Sequence, residues 1–142
     1  MLDNPYLQYR RAQTETAEPG ELVVLLYQGA IGFLERSLAA MRQQDYALAN
    51  VNAVRAEEIL AELSATLDKG VGEVAVNLAR IYDYAYWRLV EANCKKDPAS
   101  VQEVLGLLQE LLPAWQEAVK IVGRDRARRQ AYPATPAWVA AG

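Results

Sequence analysis

The sequence contains no histidine, and this absence removes several kinds of functional site at once. Phosphotransfer on histidine, histidine-ligated haem bundles and di-iron bundles built on Glu-x-x-His all require the imidazole ring. A Ser-His-Asp or Cys-His catalytic pair is excluded for the same reason. The glycines, among them Gly29, Gly32, Gly70 and Gly72, match neither the P-loop nor the dinucleotide-binding spacing. We therefore expect a protein that is not an enzyme and that uses no nucleotide, metal or other cofactor.

Cysteine, excess basic charge and long apolar runs are also scarce. The single cysteine, Cys94, cannot form an internal disulfide, which is typical of the reducing cytosol. With 15 Lys+Arg against 18 Asp+Glu, the net charge of −3 gives no reason to expect nucleic acid or an anionic membrane as partner. The most apolar run, ELVVLLYQGAIGFLE at 21–35, is too short and interrupted to span a bilayer, and no secretory signal pattern begins the chain. The composition predicts a soluble cytoplasmic protein.

Hydrophobic periodicity predicts four long helices and almost no strand. The segments are, in order, a helix from about Pro19 to Arg42, a helix from about Asp45 to Leu67, a break at DKGVGE (68–73), a helix to about Lys96 and a helix from Asp97-Pro98 onward. Trp115 lies on the Leu/Val stripe of the fourth helix, which favours a core position, while Pro113 should kink that helix or leave a carbonyl unpaired. Because the connections are short, we predict an all-α chain folded as an antiparallel up-down four-helix bundle.

Two segments lie outside the predicted bundle, which spans residues 18–123. The N-terminal leader, residues 1–17, is polar apart from Leu2, Tyr6, Leu7 and Tyr9. The C-terminal segment, residues 124–142, begins with the basic run RDRARR and becomes rich in proline and alanine, a composition typical of a flexible solvated tail. Cations also favour the negative end of a helix dipole, so the basic run suits the end of the fourth helix.

The third helix carries aromatic residues on two sides. At about 100° per residue, Tyr82 shares one face with Tyr86 and Leu89, which is an ordinary core stripe. Tyr84 and Trp87 lie well away from that stripe, among charged residues, where a helix with one buried face carries only polar side chains. Two interpretations remain open. The pair packs under the leader, the tail or a neighbouring helix, or it contacts a partner.

A few other side chains are candidates for binding. Tyr27 adjoins the LVVLL run of the first helix, which is apolar around more of its circumference than one bundle face requires. The amides of Asn52, Asn77 and Asn93 can bond a backbone or a ligand, and the structural role is favoured. Cys94 is expected to be an inert small side chain.

Several segments together resemble the flagellin export chaperone family, FliS. They are the leader NPYLQY, the helix start EPGELVVLLYQGAIGFL, the turn QQDY, the run LDKGVGEVAVNLARIYDYAYWRLVEAN and the later VLGLLQELLPAWQEA. The resemblance covers roughly residues 4–120 and keeps the order of all parts. Its most specific piece lies between Gly72 and Asn93.

The resemblance implies an antiparallel helical bundle that binds the C-terminal region of flagellin in the cytoplasm. Members of the family keep flagellin from polymerising and help deliver it to the flagellar secretion apparatus, a type III secretion system. The components of its export gate are therefore further candidate partners. For this chain we predict contacts to flagellin from Tyr27, Asn77, Tyr84, Trp87 and Asn93. The alternative function is a structural four-helix adapter that binds another amphipathic helix in a multiprotein assembly.

The resemblance also favours a leader that lies over the binding groove as an internal plug and is displaced by flagellin. Tyr6 and Tyr9 are three residues apart, so one helical turn would bring both rings to the same side. Leu7 adds apolar surface. We predict a plug built on these three residues. The other interpretation is a frayed chain end.

Overall fold

The computed structural model describes residues 19–68, 70 and 72–131, and four helices account for most of them. They are α1 (Pro19–Arg42), α2 (Tyr46–Thr66), α3 (Glu73–Lys95) and α4 (Pro98–Ala131). The predicted four helices and the break between the second and third are confirmed. The leader, residues 1–17, and the last eleven residues of the predicted tail lie outside the described residues.

The helices form a ring in which each packs along two neighbours. α1 packs on α2 and α4, and α3 packs on the same two helices, so α1 and α3 lie on one diagonal of the bundle. Only a few residues separate one helix from the next, which makes sequential neighbours antiparallel. The predicted all-α up-down bundle is therefore confirmed.

The helix ends are fixed by local hydrogen bonds. The carboxylate of Asp45 caps α2 by accepting from the backbone N–H of Leu48 at 3.2 Å. Lys96 adopts a left-handed conformation with φ 51°, and its N–H bonds the last carbonyls of α3. Between α2 and α3, Gly72 has φ 144°, a conformation that L side chains rarely adopt, so the break falls where a glycine permits it.

Small residues let α1 and α2 pack closely. The buried face of α2 begins with Ala49, Ala53 and Ala56, all fully buried. The hydroxyl of Ser37 on α1 donates to the carbonyl of Ala49 at 2.8 Å. Because a serine side chain is short, this bond shows that the two backbones approach each other closely. Leu60 and Leu63 continue the buried stripe toward the far end of α2.

Three aromatic residues make a hydrogen-bonded cluster in the core. The hydroxyls of Tyr27 on α1 and Tyr82 on α3 are 2.6 Å apart, and the indole Nε1 of Trp115 on α4 donates to the Tyr27 hydroxyl at 3.1 Å. The Tyr27 ring centroid lies 6.1 Å from that of Tyr82 and 6.3 Å from that of Trp115. Burial raises the pKa of both tyrosines, so their hydroxyls stay neutral and able to donate.

The position of α1 in the core explains why this helix is so apolar. The run at 21–35 is short, but the helix from Gly20 to Arg42 as a whole is long and apolar enough to cross a membrane, a test that the core helix of a soluble protein also passes. Leu26, Tyr27 and Leu34 are fully buried within the bundle. Packing against α2 and α4 therefore accounts for the apolar run.

The fourth helix differs from the prediction in its length. It has 34 residues, and it continues through Arg124 to Ala131, the first part of the segment predicted as a flexible tail. Arginine, alanine and glutamine favour helix, and here that preference outweighs the low hydrophobicity of the run. α4 also stays helical through Pro113. Because Pro113 and Gln109 are both exposed, water can bond the carbonyl that the proline leaves unpaired.

The Asp45 cap gives a first prediction about stability. Asp45→Ala should lower the free energy of unfolding by about 1 kcal/mol, because it removes the acceptor for an otherwise unpaired helix N–H. Asp45→Asn keeps a side-chain oxygen and should lose much less. Urea unfolding followed by circular dichroism measures both. Equal losses for the two variants would contradict capping as the cause.

The aromatic cluster gives a second prediction. Tyr27→Phe keeps the ring but removes the hydroxyl, so the Tyr82 hydroxyl and the Trp115 indole lose their partner. We expect the free energy of unfolding to fall by about 1–3 kcal/mol. Tyr46→Phe, on the exposed start of α2, is the matched control and should change it by less than about 0.5 kcal/mol. A Tyr27→Phe value as small as that of the control would show that the cluster does not stabilise the bundle.

Candidate functional site

The outer side of α3 exposes two large aromatic residues. Tyr84 is 50% exposed and Trp87 is 61% exposed, whereas Tyr82 and Leu89 on the inner side are buried. The two faces predicted from the sequence are therefore present. The core stripe of α3 is complete without Tyr84 and Trp87, so neither residue is needed to fill the bundle interior.

The carboxylate of Glu103 on α4 holds one edge of the Tyr84 ring in place. The Tyr84 hydroxyl donates a short hydrogen bond to one oxygen of Glu103, and Arg88 Nε donates to the other oxygen at 2.8 Å. These two bonds lower the pKa of Glu103, so the carboxylate stays charged at neutral pH. The bond to Glu103 also raises the pKa of Tyr84. Tyr84 thus lies against a neighbouring helix along one edge and keeps half of its surface exposed.

Trp87 is more exposed than Tyr84. Its ring packs edge-on against Tyr86, with the centroids 5.1 Å apart. Charged side chains surround the pair and line a shallow depression; they are Arg80, Asp83, Arg88 and Glu91. An aromatic centre with a charged rim is the usual composition of a protein-binding hot spot. We call Tyr84 and Trp87, together with these four residues, the α3 aromatic surface.

A second surface lies between the first turn of α1 and the C-terminal half of α4. This α1/α4 groove is lined by Gly20, Glu21, Trp115, Ala118, Val119, Val122, Gly123 and Arg126. A Cβ placed on Gly20 would come within 3.2 Å of Val119, so the glycine permits the close approach of the two helices. The groove is apolar along most of its length. It begins directly beside Pro19, where the leader joins the bundle.

A third exposed apolar patch lies on α2 and was missed from the sequence. Leu48, Val51 and Val54 are 49%, 53% and 36% exposed. They are spaced three residues apart, on the side of α2 away from its buried alanines. Their three-residue spacing is the sequence signal that could have indicated an exposed apolar stripe on this helix.

The predicted contact residues divide between the surface and the interior. Asn77, Tyr84 and Trp87 are all exposed on α3. Tyr27 is fully buried in the core cluster, and Asn93 is only 8% exposed. We therefore leave Tyr27 and Asn93 out of the candidate surface. The predicted plug residues Tyr6, Leu7 and Tyr9 lie outside the described part of the chain.

Hydrogen bonds explain the two buried amides. Asn93 Nδ2 donates to Asn50 Oδ1 at 2.8 Å, and the Asn93 oxygen accepts from Lys96 Nζ, which ties the end of α3 to the start of α2. Asn52 Nδ2 donates to the Leu48 carbonyl at 3.0 Å. Both amides have structural partners, as favoured for Asn52 and Asn93 from the sequence.

The described residues contain no group of side chains suited to holding a metal ion. Within residues 19–68, 70 and 72–131, no three His, Cys, Asp or Glu side chains come together in a way that could hold a metal ion. The exposed features are aromatic and aliphatic side chains with charged neighbours. Such features can bind another polypeptide by burying apolar surface.

Comparison with known proteins identifies the family. Residues 2–122 match the sequence profile of the family described as "Flagellar protein FliS". The flagellar secretion chaperone FliS of Bacillus subtilis is 35% identical over 125 residues, which is 88% of this chain and 93% of that protein. FliS of Salmonella typhimurium is 36% identical and covers 72% of this chain, with 77% of its own length matched. FliSB of Pseudomonas aeruginosa is 36% identical, and the match covers 73% of this chain and 83% of that protein. The chain therefore belongs to the FliS family of flagellar secretion chaperones.

Proposed function

We propose that this chaperone binds the C-terminal helical region of flagellin in the cytoplasm, prevents its premature polymerisation and assists its export by the flagellar secretion system. Family membership supports a protein partner and a chaperone role. The observation that carries the proposal further is the exposure of Tyr84 and Trp87 on a helix whose core stripe is already complete. The activity requires binding only, with no reaction catalysed.

The α3 aromatic surface suits an amphipathic helix. A tryptophan buries about 150–250 Å² when fully covered, and Trp87 is 61% exposed. Covering the exposed part removes on the order of 100 Å² of apolar surface from water, which contributes about 2–3 kcal/mol before ordering costs. The charged rim formed by Arg80, Asp83, Arg88 and Glu91 can pair with the polar flank of the helix. Asn77, on the same side of α3, adds an exposed amide.

The other exposed surfaces allow the ligand to continue around the bundle. Leu48, Val51 and Val54 lie on α2, which packs beside α3. The α1/α4 groove lies on the side of α4 that faces α1, not on the side that faces α3. Terminal segments of flagellin have apolar stripes that would otherwise meet one another, so a chaperone with several apolar faces can cover more than one stripe. Components of the export gate would then bind the complex of the chaperone with flagellin.

The leader would protect the α1/α4 groove before flagellin arrives. It joins α1 at Pro19, directly beside the groove. Tyr6, Leu7 and Tyr9 supply enough apolar area for a few kcal/mol, and ordering the segment offsets much of it. A plug closed by a net of about 1–2 kcal/mol lowers the apparent affinity for flagellin roughly five- to thirtyfold, because only the open fraction binds.

The partner is tested by calorimetry and pull-down with full-length flagellin and with flagellin lacking its C-terminal segment. We expect only the full-length protein to bind. Binding of both forms alike would contradict the proposed segment, and binding of neither would contradict flagellin as the partner.

The aromatic surface gives a prediction about affinity. Trp87→Ala should weaken flagellin binding by about 1–4 kcal/mol, the range of an aromatic hot spot, and should leave the melting temperature nearly unchanged. Tyr82→Ala is the contrasting variant, because that ring is buried and its loss should destabilise the bundle. A large fall in melting temperature for Trp87→Ala with affinity unchanged would assign Trp87 to packing.

The leader gives a prediction in which the variants bind flagellin more tightly, not more weakly. Deleting residues 1–15, or combining Tyr6→Ala with Tyr9→Ala, should tighten flagellin binding or speed association, because no plug has to leave. The free protein should also aggregate more readily, since an apolar groove is uncovered. Stopped-flow association and light scattering measure the two effects. Unchanged association and affinity in both variants would rule out a plug.

A further inference from the structure

The outer side of the second half of α4 carries charged side chains in a regular order. Toward the C-terminal end of the helix, glutamates come first and arginines follow. The residues on this side follow one another at intervals of three or four and are all exposed; they are Glu110, Ala114, Glu117, Ile121, Arg124 and Arg128. We call these six residues the α4 seam. At about 100° per residue, they lie roughly 150° around the helix from the residues of the α1/α4 groove, so the two surfaces are separate.

The charges of the α4 seam have no partner in the part of the chain that the structure describes. Within those residues, no ion pair involves Glu110, Glu117, Arg124 or Arg128. Lys120, Arg124 and Arg128 also follow one another at intervals of four, and like charges at this spacing destabilise a helix. A partner that brings carboxylates to the basic part and cations to the acidic part would relieve both effects.

The basic end of the α4 seam lies past the start of α1. A Cβ placed on Gly20 would come within 3.2 Å of Val119, which marks the level at which α4 passes the first turn of α1. Residues 120–131 continue for about 18 Å beyond that level, at 1.5 Å per residue. Ile121 is 49% exposed in this part of the helix. Because a lone helix of about twelve residues is marginal in water, a second helix packed along the α4 seam would stabilise it.

The order of the charges makes the α4 seam complementary to itself, which is what a two-fold symmetric contact requires. We consider two copies of α4 packed antiparallel around an axis near residue 120. From that axis, Glu117 lies about 4.5 Å along the helix in one direction and Arg124 about 6 Å in the other. The distances are about 15 Å for Glu110 and about 12 Å for Arg128. Each glutamate therefore meets an arginine of the other copy within reach of the two side chains, and both copies of Ile121 lie beside the axis.

We propose that the α4 seam is a homodimer interface in which α4 packs antiparallel on α4 of a second copy of this chain. Glu117 pairs with Arg124 of the other copy, and Glu110 pairs with Arg128. One pair of helices buries less than the roughly 1,600 Å² of a standard interface, so the dimer is weak and forms at high protein concentration. The α4 seam contains no residue of the α3 aromatic surface or the α1/α4 groove, so the proposal does not depend on flagellin binding.

The test is sedimentation velocity of the full chain alone, over a wide range of protein concentration. In dilute buffer, the average mass should rise toward that of a dimer as the concentration increases. At 0.5 M salt, where the Debye length falls to about 4 Å, the dissociation constant should increase about tenfold or more.

Two charge reversals assign the dimer to the α4 seam. Glu110→Lys with Glu117→Lys makes its charges all positive, and Arg124→Glu with Arg128→Glu makes them all negative, so each variant alone should stay monomeric. The matched control for the lysine variant, Glu35→Lys with Glu73→Lys, makes the same charge change at exposed positions of α1 and α3. It should dimerise like the unaltered protein. Circular dichroism checks that α4 remains helical in every variant.

Mixing the two seam variants completes the test. A basic seam complements an acidic one, so an equimolar mixture should form a heterodimer although neither variant associates alone. A chain that stays monomeric at every concentration in dilute buffer would overturn the proposal. It would also be overturned by dimers that survive both charge reversals, by a control that loses as much association as the seam variants, or by a mixture that does not associate.

Discussion

The hydrogen bond between the hydroxyls of Tyr27 and Tyr82 connects α1 and α3, which lie on one diagonal of the bundle. A buried hydroxyl needs a partner, and these two partner each other while Trp115 donates to Tyr27. The three residues therefore fix which sides of α1, α3 and α4 face inward. Because Tyr82 faces the core, the residues on the opposite side of α3 face away from it. The exposure of Tyr84 and Trp87 follows from that constraint.

The structure separates residues that stabilise the fold from residues that are available to a partner. The core is complete with Leu26, Leu34 and their neighbours, and yet large apolar side chains remain exposed on α2, α3 and α4. Such surfaces reduce the solubility of a free protein, so a protein that retains them has a use for them. For this secretion chaperone we propose that the use is the covering of apolar segments on another chain, at the α3 aromatic surface and the α1/α4 groove.

The fourth helix contributes to the core, to the contact at the edge of Tyr84 and to the α1/α4 groove. Its first half supplies Val101 and Val104 to the core, and Glu103 to the contact with Tyr84 and Arg88. Its middle supplies Trp115, whose indole bonds the core while its ring lines the groove. Its last part leaves the bundle and carries the basic residues. A single continuous helix therefore links the buried cluster to two exposed surfaces.

The sequence by itself determined the four helices, their breaks and the division of α3 into a core face with Tyr82 and an outer face with Tyr84 and Trp87. Periodicity carries that information because it reports the direction of each side chain relative to its own helix axis. It does not report what a neighbouring helix covers. Only the tertiary structure decided that Tyr27 and Asn93 are buried, that Leu48 and Val51 are exposed, and that Gly20 and Val119 meet in the α1/α4 groove. Burial and exposure at those positions depend on contacts between helices that lie far apart in the chain.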